Sequence, residues 1–229
     1  VGPNGAGKTT LVRLLCRLYD PKAGMISLGG IDYRQFALQE LRQQISVVFQ
    51  DFVRYHLTLR DNIRVGDIAR AENHSDQLFK AAEKAGLTGL IENLPHGCDT
   101  MLGKWFEAGH ELSIGEWQKL VIARAFYRDA NFIILDEPSS SLDADSEYQL
   151  FLNFKELIGD KSALIISHRF STVKMADRIL VLENGTIIES GSHYQLLERQ
   201  GRYAEMFRKQ FADHVAEMPH GPSGQKTSS

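Results

Sequence analysis

The chain has 229 residues, 43% of them hydrophobic and 24% charged, and a formal net charge of −3. That balance is one of a globular domain with ample core, and the absence of any basic run argues against a nucleic-acid surface. Two cysteines, Cys16 and Cys98, cannot build a disulfide framework, and no apolar stretch is long enough to cross a bilayer as a helix.

The first ten residues, Val1-Gly-Pro-Asn-Gly-Ala-Gly-Lys-Thr-Thr10, fit the phosphate-loop pattern of Gly, four residues, then Gly-Lys-Thr. Gly2, Pro3, Asn4, Gly5, Ala6 and Gly7 supply a backbone that can turn tightly and, at every position but Pro3, aim an N–H group at phosphate oxygens. Lys8 adds a point charge for the β- and γ-phosphates. Thr9 offers a hydroxyl to Mg²⁺, and Thr10 extends the first turn of the helix whose positive end faces the anion. Leu11, Val12, Leu14, Leu15 and Leu18 give that helix its apolar side. Such a loop ordinarily follows a buried strand, and only Val1 stands before it. The chain therefore reads as a piece of a longer polypeptide that lacks this strand.

Asp20 to Gly24 is a turn, Met25 to Gly30 a strand, Phe36 to Gln44 a short helix and Ile45 to Phe49 a β-branched strand ending at Gln50. A loop, Asp51 to Thr58, leads to a helical turn at Leu59 to Gly66. Ser75 caps an amphipathic helix that stops at Gly86. The pattern is irregular through Gly109, after which Ser113 caps a helix to Arg128. Phe132 to Leu135 is wholly apolar, as suits a parallel strand buried on both faces. A helix is predicted over Asp145 to Ile158 and a second buried strand over Ser162 to Ile166. Arg178–Leu182 and Thr186–Ser190 flank Asn184-Gly185, a hairpin signal. Helices at Ser192–Arg199 and Tyr203–Phe211 close the folded part, residues 1–212, and a polar tail over 213–229 is expected to be disordered. Alternating strands and helices indicate an α/β phosphate-loop NTPase core with a mainly parallel sheet. An α-helical subdomain is inserted at about 60–128, and a β-hairpin with helices follows at the C-terminal end.

The strand Phe132–Leu135 delivers Asp136 and Glu137 at its C-terminal end, where ligands bind in open α/β sheets. Asp136 is placed to hold Mg²⁺ through water. Glu137 is placed to act as the base that polarises an attacking water. Together with the phosphate loop, these residues carry a family resemblance. The chain resembles the nucleotide-binding domain of an ATP-binding cassette (ABC) transporter from Val1 to about Phe211. Gln50 resembles the family glutamine that reaches Mg²⁺ and the water. Leu112-Ser-Ile-Gly-Glu-Trp-Gln118 resembles the family signature, Ser141-Leu-Asp143 the D-loop, and His168 the switch histidine that contacts the γ-phosphate.

The resemblance implies ATP and Mg²⁺ as ligands and ATP hydrolysis as the activity, with Glu137, His168 and Gln50 catalytic and Thr9, Gln50 and Asp136 at the metal. It also implies a second nucleotide-binding domain as partner, because Ser113 and Gly115, with Asp143, would close the nucleotide site of a second copy or relative. Exporter-like features at Asn184–His193 imply a transmembrane domain in the same polypeptide. The domain would then lie on the cytoplasmic face of a membrane, the cell membrane. The loop Asp51–Leu57 would receive segments of the membrane domain, and Trp105 and Phe106 are candidates either for that interface or for the core.

Ile114 departs from the pattern, since the family usually has Gly there and a β-branched residue adds bulk where phosphate should approach. It leaves open a degenerate regulatory cassette in a heterodimer. A soluble ABC-type clamp is a further alternative, which the absence of a second phosphate loop, a long coiled coil or a basic patch disfavours.

Overall fold

The computed structural model describes residues 1–69, 75–105, 109–138, 148, 151–152, 154–155, 158–159 and 161–216, with 211–216 described by their backbone alone. Its contacts divide the chain into two units, residues 8–168 and residues 1–7 with 169–229.

The larger unit is built on a parallel sheet. Its strands β3 (Ile45–Val48), β4 (Phe132–Asp136) and β5 (Ser162–Ile166) follow the order β3-β4-β5. Register pairs Ile134 with Val47 on one side and with Leu164 on the other. Helix α1 (Lys8–Leu15) buries Val12 into a core shared with Cys16, Tyr33, Leu41, Ile45, Ile134 and Ile166. A continuous apolar run is what a strand covered on both faces requires, and β4 supplies it, with successive residues Ile133, Ile134 and Leu135 all buried. Burial also pushes the Cys16 thiol up to about 11, so it is an inert core residue.

The stretch predicted as one strand at Met25–Gly30 is a small antiparallel hairpin. In it β1 (Ser27–Leu28) pairs with β2 (Ile31–Asp32) across Gly29-Gly30. Both glycines take positive φ, 59° and 82°, the geometry of a two-residue hairpin turn. Helix α2 (Leu38–Gln43) is shorter than the predicted span.

The helical insertion comprises α3 (Leu59–Arg64), a 3₁₀ turn at Val65–Asp67, α4 (Ser75–Lys84), α5 (Thr88–Asn93) and α6 (Ile114–Arg128). Helix α5 falls in the stretch expected to be irregular. Gly86 ends α4 at φ 72°, and Leu87 and Leu94 at either end of α5 are buried, so packing overrides the poor helix propensity of Gly89. Helix α6 is buried nearly all round, through Trp117, Leu120, Ile122 and Ala123. Near its C-terminal end the Ala125 carbonyl accepts a hydrogen bond from Ser46 Oγ on β3 at 3.1 Å.

The smaller unit contains the hairpin β6 (Ile179–Glu183) and β7 (Thr186–Gly191), turning on Asn184 (φ 49°) and Gly185 (φ 76°) as predicted. It also holds α7 (Phe170–Val173), which the sequence reading missed, α8 (His193–Glu198) and α9 (Arg202–Ala216). Phe170, Val173, Ile179, Val181, Leu196 and Tyr203 form its core, with Val1 packed against it. Helix α9 runs past Phe211, its predicted end. The remainder of the predicted tail, and most of the helix predicted at Asp145–Ile158, lie outside the described residues.

Ile134→Ala is expected to destabilise the chain by about 2–5 kcal/mol through lost burial and a cavity at the sheet centre, measured by denaturant unfolding.

Candidate functional site

The boundary between the units falls between Gly7 and Lys8, so the phosphate loop has two halves. The first is tied to the hairpin of its own unit. Val1 N–H donates to Leu180 O at 2.9 Å, Leu182 N–H donates to Val1 O at 2.9 Å, and Gly185 N–H donates to Ala6 O at 3.0 Å. Gly2, Gly5 and Gly7 take φ of 155°, 79° and 101°. At Gly2 the glycine is also required sterically, since a Cβ would stand 2.1 Å from Leu182 O. Asn4 and Gly5 are exposed, as a ligand-binding turn must be.

The second half opens α1 with Lys8, followed by the exposed Thr9 and Thr10. In the same unit the parallel order β3-β4-β5 brings the C-terminal ends of three strands to one edge. Gln50 is exposed two residues past β3. Asp136 ends β4, 4% exposed, and His168 lies two residues past β5. Glu137 extends the pairing by one bond, its N–H donating to Ile166 O at 2.9 Å, and then turns the chain with φ 50°. A left-handed residue other than glycine costs of order 1–3 kcal/mol, and Glu137 is one of five such residues among those described, with Arg17, Asp129, Asn184 and Gln200. The turn points the Glu137 carboxylate at His168, with Oε1 at 3.3 Å from Nδ1.

Burial pushes the Asp136 carboxyl above its ordinary range. Negative charge on Glu137 raises it further, Lys8 draws it back, and Asp51 raises it again. Lys8, Asp51, Asp136, Glu137 and His168 therefore form one electrostatic neighbourhood, with oxygen acids gathered at a strand end.

The signature residues occupy a different place. Ser113 caps α6, its hydroxyl accepting from Glu116 N–H at 3.3 Å while the Glu116 carboxylate accepts from Ser113 N–H at 2.7 Å. Ser113 thus lies about 18 Å of helix away from Ala125, the residue bonded to β3. Ile114 is 53% exposed and Gly115 half-buried, so the isoleucine presents its bulk to solvent rather than to the core. Ser141, Asp143 and Phe106 lie outside the described residues. Trp105 is not a core residue: it is 84% exposed and stacks on His56 with ring centroids 5.2 Å apart.

The sequence reading gave no role to Arg124. It is 9% exposed on α6, with Nε donating to Asn62 O at 2.9 Å, Nη2 to Asn62 Oδ1 at 2.5 Å and Nη1 to Val53 O at 2.7 Å. Its guanidinium also lies 4.9 Å from the centre of the Tyr55 ring. This side chain ties the loop after Gln50 to the helix that begins at Ser113. An arginine between Ala123 and Ala125, within an apolar run, was the available signal.

Residues 1–140 match the family model described as ABC transporter. The chain belongs to the ABC transporter family. It is 45% identical over 212 residues to an ATP-dependent lipid A-core flippase of Ralstonia nicotianae and 42% identical over 213 residues to one of Alcanivorax borkumensis, in each case covering 93% of this chain. The chain spans about a third of those flippases, 35% and 36% of their lengths. A solved bacterial Atm1-family ABC exporter with ATP bound matches 91% of this chain and 36% of its own at a TM-score of 0.83 and 37% identity. The α/β fold with its parallel sheet is accordingly that of an ABC exporter nucleotide-binding domain.

Replacing Asp136 with Asn is expected to raise the melting temperature in metal-free buffer at neutral pH. The folded-state pKa is raised, so ionisation of Asp136 destabilises the fold above that pKa. The cost fades as pH falls through it toward the ordinary value of 3.8. The advantage of the variant should shrink on acidification, and equal melting at neutral pH would contradict the assignment.

Proposed function

We propose that this chain binds and hydrolyses ATP with Mg²⁺ and powers export of a solute across a membrane. The observation that carries the reading is the Glu137–His168 pair, 3.3 Å apart beside the buried Asp136 at the end of β4. In this reading Gly2–Gly7, Lys8, Thr9 and Thr10 hold the phosphates. Glu137 takes a proton from water as the water attacks the γ-phosphorus, and His168 keeps that carboxylate oriented and meets the γ-phosphate. The Thr9 hydroxyl, the Gln50 amide oxygen and the Asp136 carboxylate are hard oxygen donors, the set that suits Mg²⁺. The ion would neutralise phosphate charge, and the burial that chiefly raises Asp136, with the negative charge of Glu137 beside it, fits a cation there.

Export is supported by the likeness to ATP-dependent flippases and to an Atm1-family exporter. A membrane-spanning part in the same polypeptide is supported by the relatives' greater length. A second nucleotide-binding domain would complete each site with Ser113, Gly115 and Asp143. The capped end of α6, remote from the β3 contact, suits a surface that serves another copy. The loop Asp51–Leu57 would meet the membrane domain, with the chain at the cytoplasmic face of the cell membrane.

Glu137→Gln in the complete transporter is expected to lower ATP turnover by about 10²–10⁴ while leaving ATP binding intact. Lys8→Ala should abolish binding instead, measured by equilibrium titration with a fluorescent ATP analogue. Undiminished hydrolysis by the first variant, or unchanged affinity in the second, would overturn these roles.

A further inference from the structure

The N-terminal end of α6 has few donors to offer an anion, and one of the chain's own acids already holds part of them. A helix leaves its first four N–H groups without intrahelical acceptors, here those of Ser113, Ile114, Gly115 and Glu116. The Ser113 N–H donates to Glu116 Oε2 at 2.7 Å, and the Ser113 hydroxyl donates to the same oxygen at 2.8 Å. The Glu116 N–H in turn donates to Ser113 Oγ at 3.3 Å. A hydroxyl has one proton to give, and this one is committed to Glu116.

Among the described residues no cation pairs with Glu116. Its charge is met by the two Ser113 donors and by the positive end of the helix. A phosphate oxygen taking the same hydroxyl would stand about 4–5 Å from Glu116 Oε2, since two hydrogen bonds of ordinary length then meet at one oxygen. At that separation like charges repel, weakly in water and strongly once a second protein surface has excluded the water. Ser113 and Ile114 are exposed, so in the single chain this contact is open to such a surface.

We propose that Glu116 is an internal competitor for the nucleotide of a second domain. It occupies the Ser113 donors while the domains are apart, and the incoming γ-phosphate has to displace it before they close. The proposal rests on the reading that Ser113 and Gly115 complete another domain's site, and it adds what sets the ATP concentration at which closure occurs. Glu116 acts through Ser113 and is therefore a positioning residue. The capping box then has a second consequence beyond starting a helix. Whatever it stabilises in the open state opposes closure, so the carboxylate raises the ATP threshold.

The test uses the complete transporter in proteoliposomes with Glu116→Gln. A glutamine completes the same box through its amide oxygen, so the helix end keeps its cap and loses only the charge. Closure is followed by the distance between spin labels, one on each nucleotide-binding domain, during titration with a non-hydrolysable ATP analogue and Mg²⁺. The expected result is a fall of about fivefold in the concentration for half-closure, a coupling of ordinary size. With ATP itself, the concentration for half-maximal turnover should fall by a similar factor at unchanged maximal turnover. A change confined to maximal turnover would place Glu116 in the chemistry and overturn the proposal. An unchanged or raised concentration for half-closure would leave Glu116 as a structural cap and overturn it equally. Ser113→Ala tells that failure from a failure of the underlying reading. If E116Q has no effect and S113A raises the concentration for half-closure, the competition falls and the second-domain reading stands. If neither variant shifts it, both fall.

Discussion

The site depends on a carboxylate held out of water at the end of a strand that is itself hidden on both faces. Phe132–Asp136 has neighbours on both edges, and its apolar residues fill the core beneath α1. A strand so placed leaves its last residue little solvent, and Asp136 is accordingly disfavoured as an anion. Packing and ionisation conflict at that point, and such conflicts concentrate where function outweighs stability. A cation bound as proposed would relieve the conflict, and its affinity would then be partly a property of the core behind the site.

Glu137 shows how the same strand produces direction. One further sheet hydrogen bond to Ile166 is followed by a left-handed turn, and the carboxylate is delivered to His168 at the end of the next strand. Neither side chain could be aimed without the parallel pairing of β4 and β5, because that pairing puts the two strand ends level.

Helix α6 gathers three features on one rigid element. It begins at the Ser113 cap, holds Arg124 in its interior and ends beside Ser46 of β3. A movement of the loop after Gln50 that displaced Val53 would have to break or carry the Arg124 bond, and with it the helix. The same arginine lines the cleft between β3 and α6, so the loop after Gln50, the helix capped by Ser113 and the cleft share one mechanical connection.

Much of this was legible in the chain itself. Gly2, Gly7 and Lys8 stood out because phosphate chemistry demands few residue types at set spacings, Asp136 and Glu137 because they end an apolar strand, and His168 only through the family resemblance. Strand β4 was legible because a doubly covered strand must be apolar throughout, whereas β5, expected to be equally buried, has Ser162 and Ala163 exposed and only Ile166 fully buried. The Asn184-Gly185 turn and the Ser113 cap were equally plain, being set by local backbone geometry. What only tertiary structure decided were the relations between distant segments. Helix α5 exists because Leu87 and Leu94 find a core, against the propensity of Gly89. Trp105 faces solvent on His56 although its composition suited the interior equally well. Arg124 acquires its role from Asn62 and Val53, some sixty and seventy positions away, and no local pattern encodes a partner at that separation. Local rules are written in neighbouring residues, whereas burial and charge compensation depend on which remote segments the fold brings together.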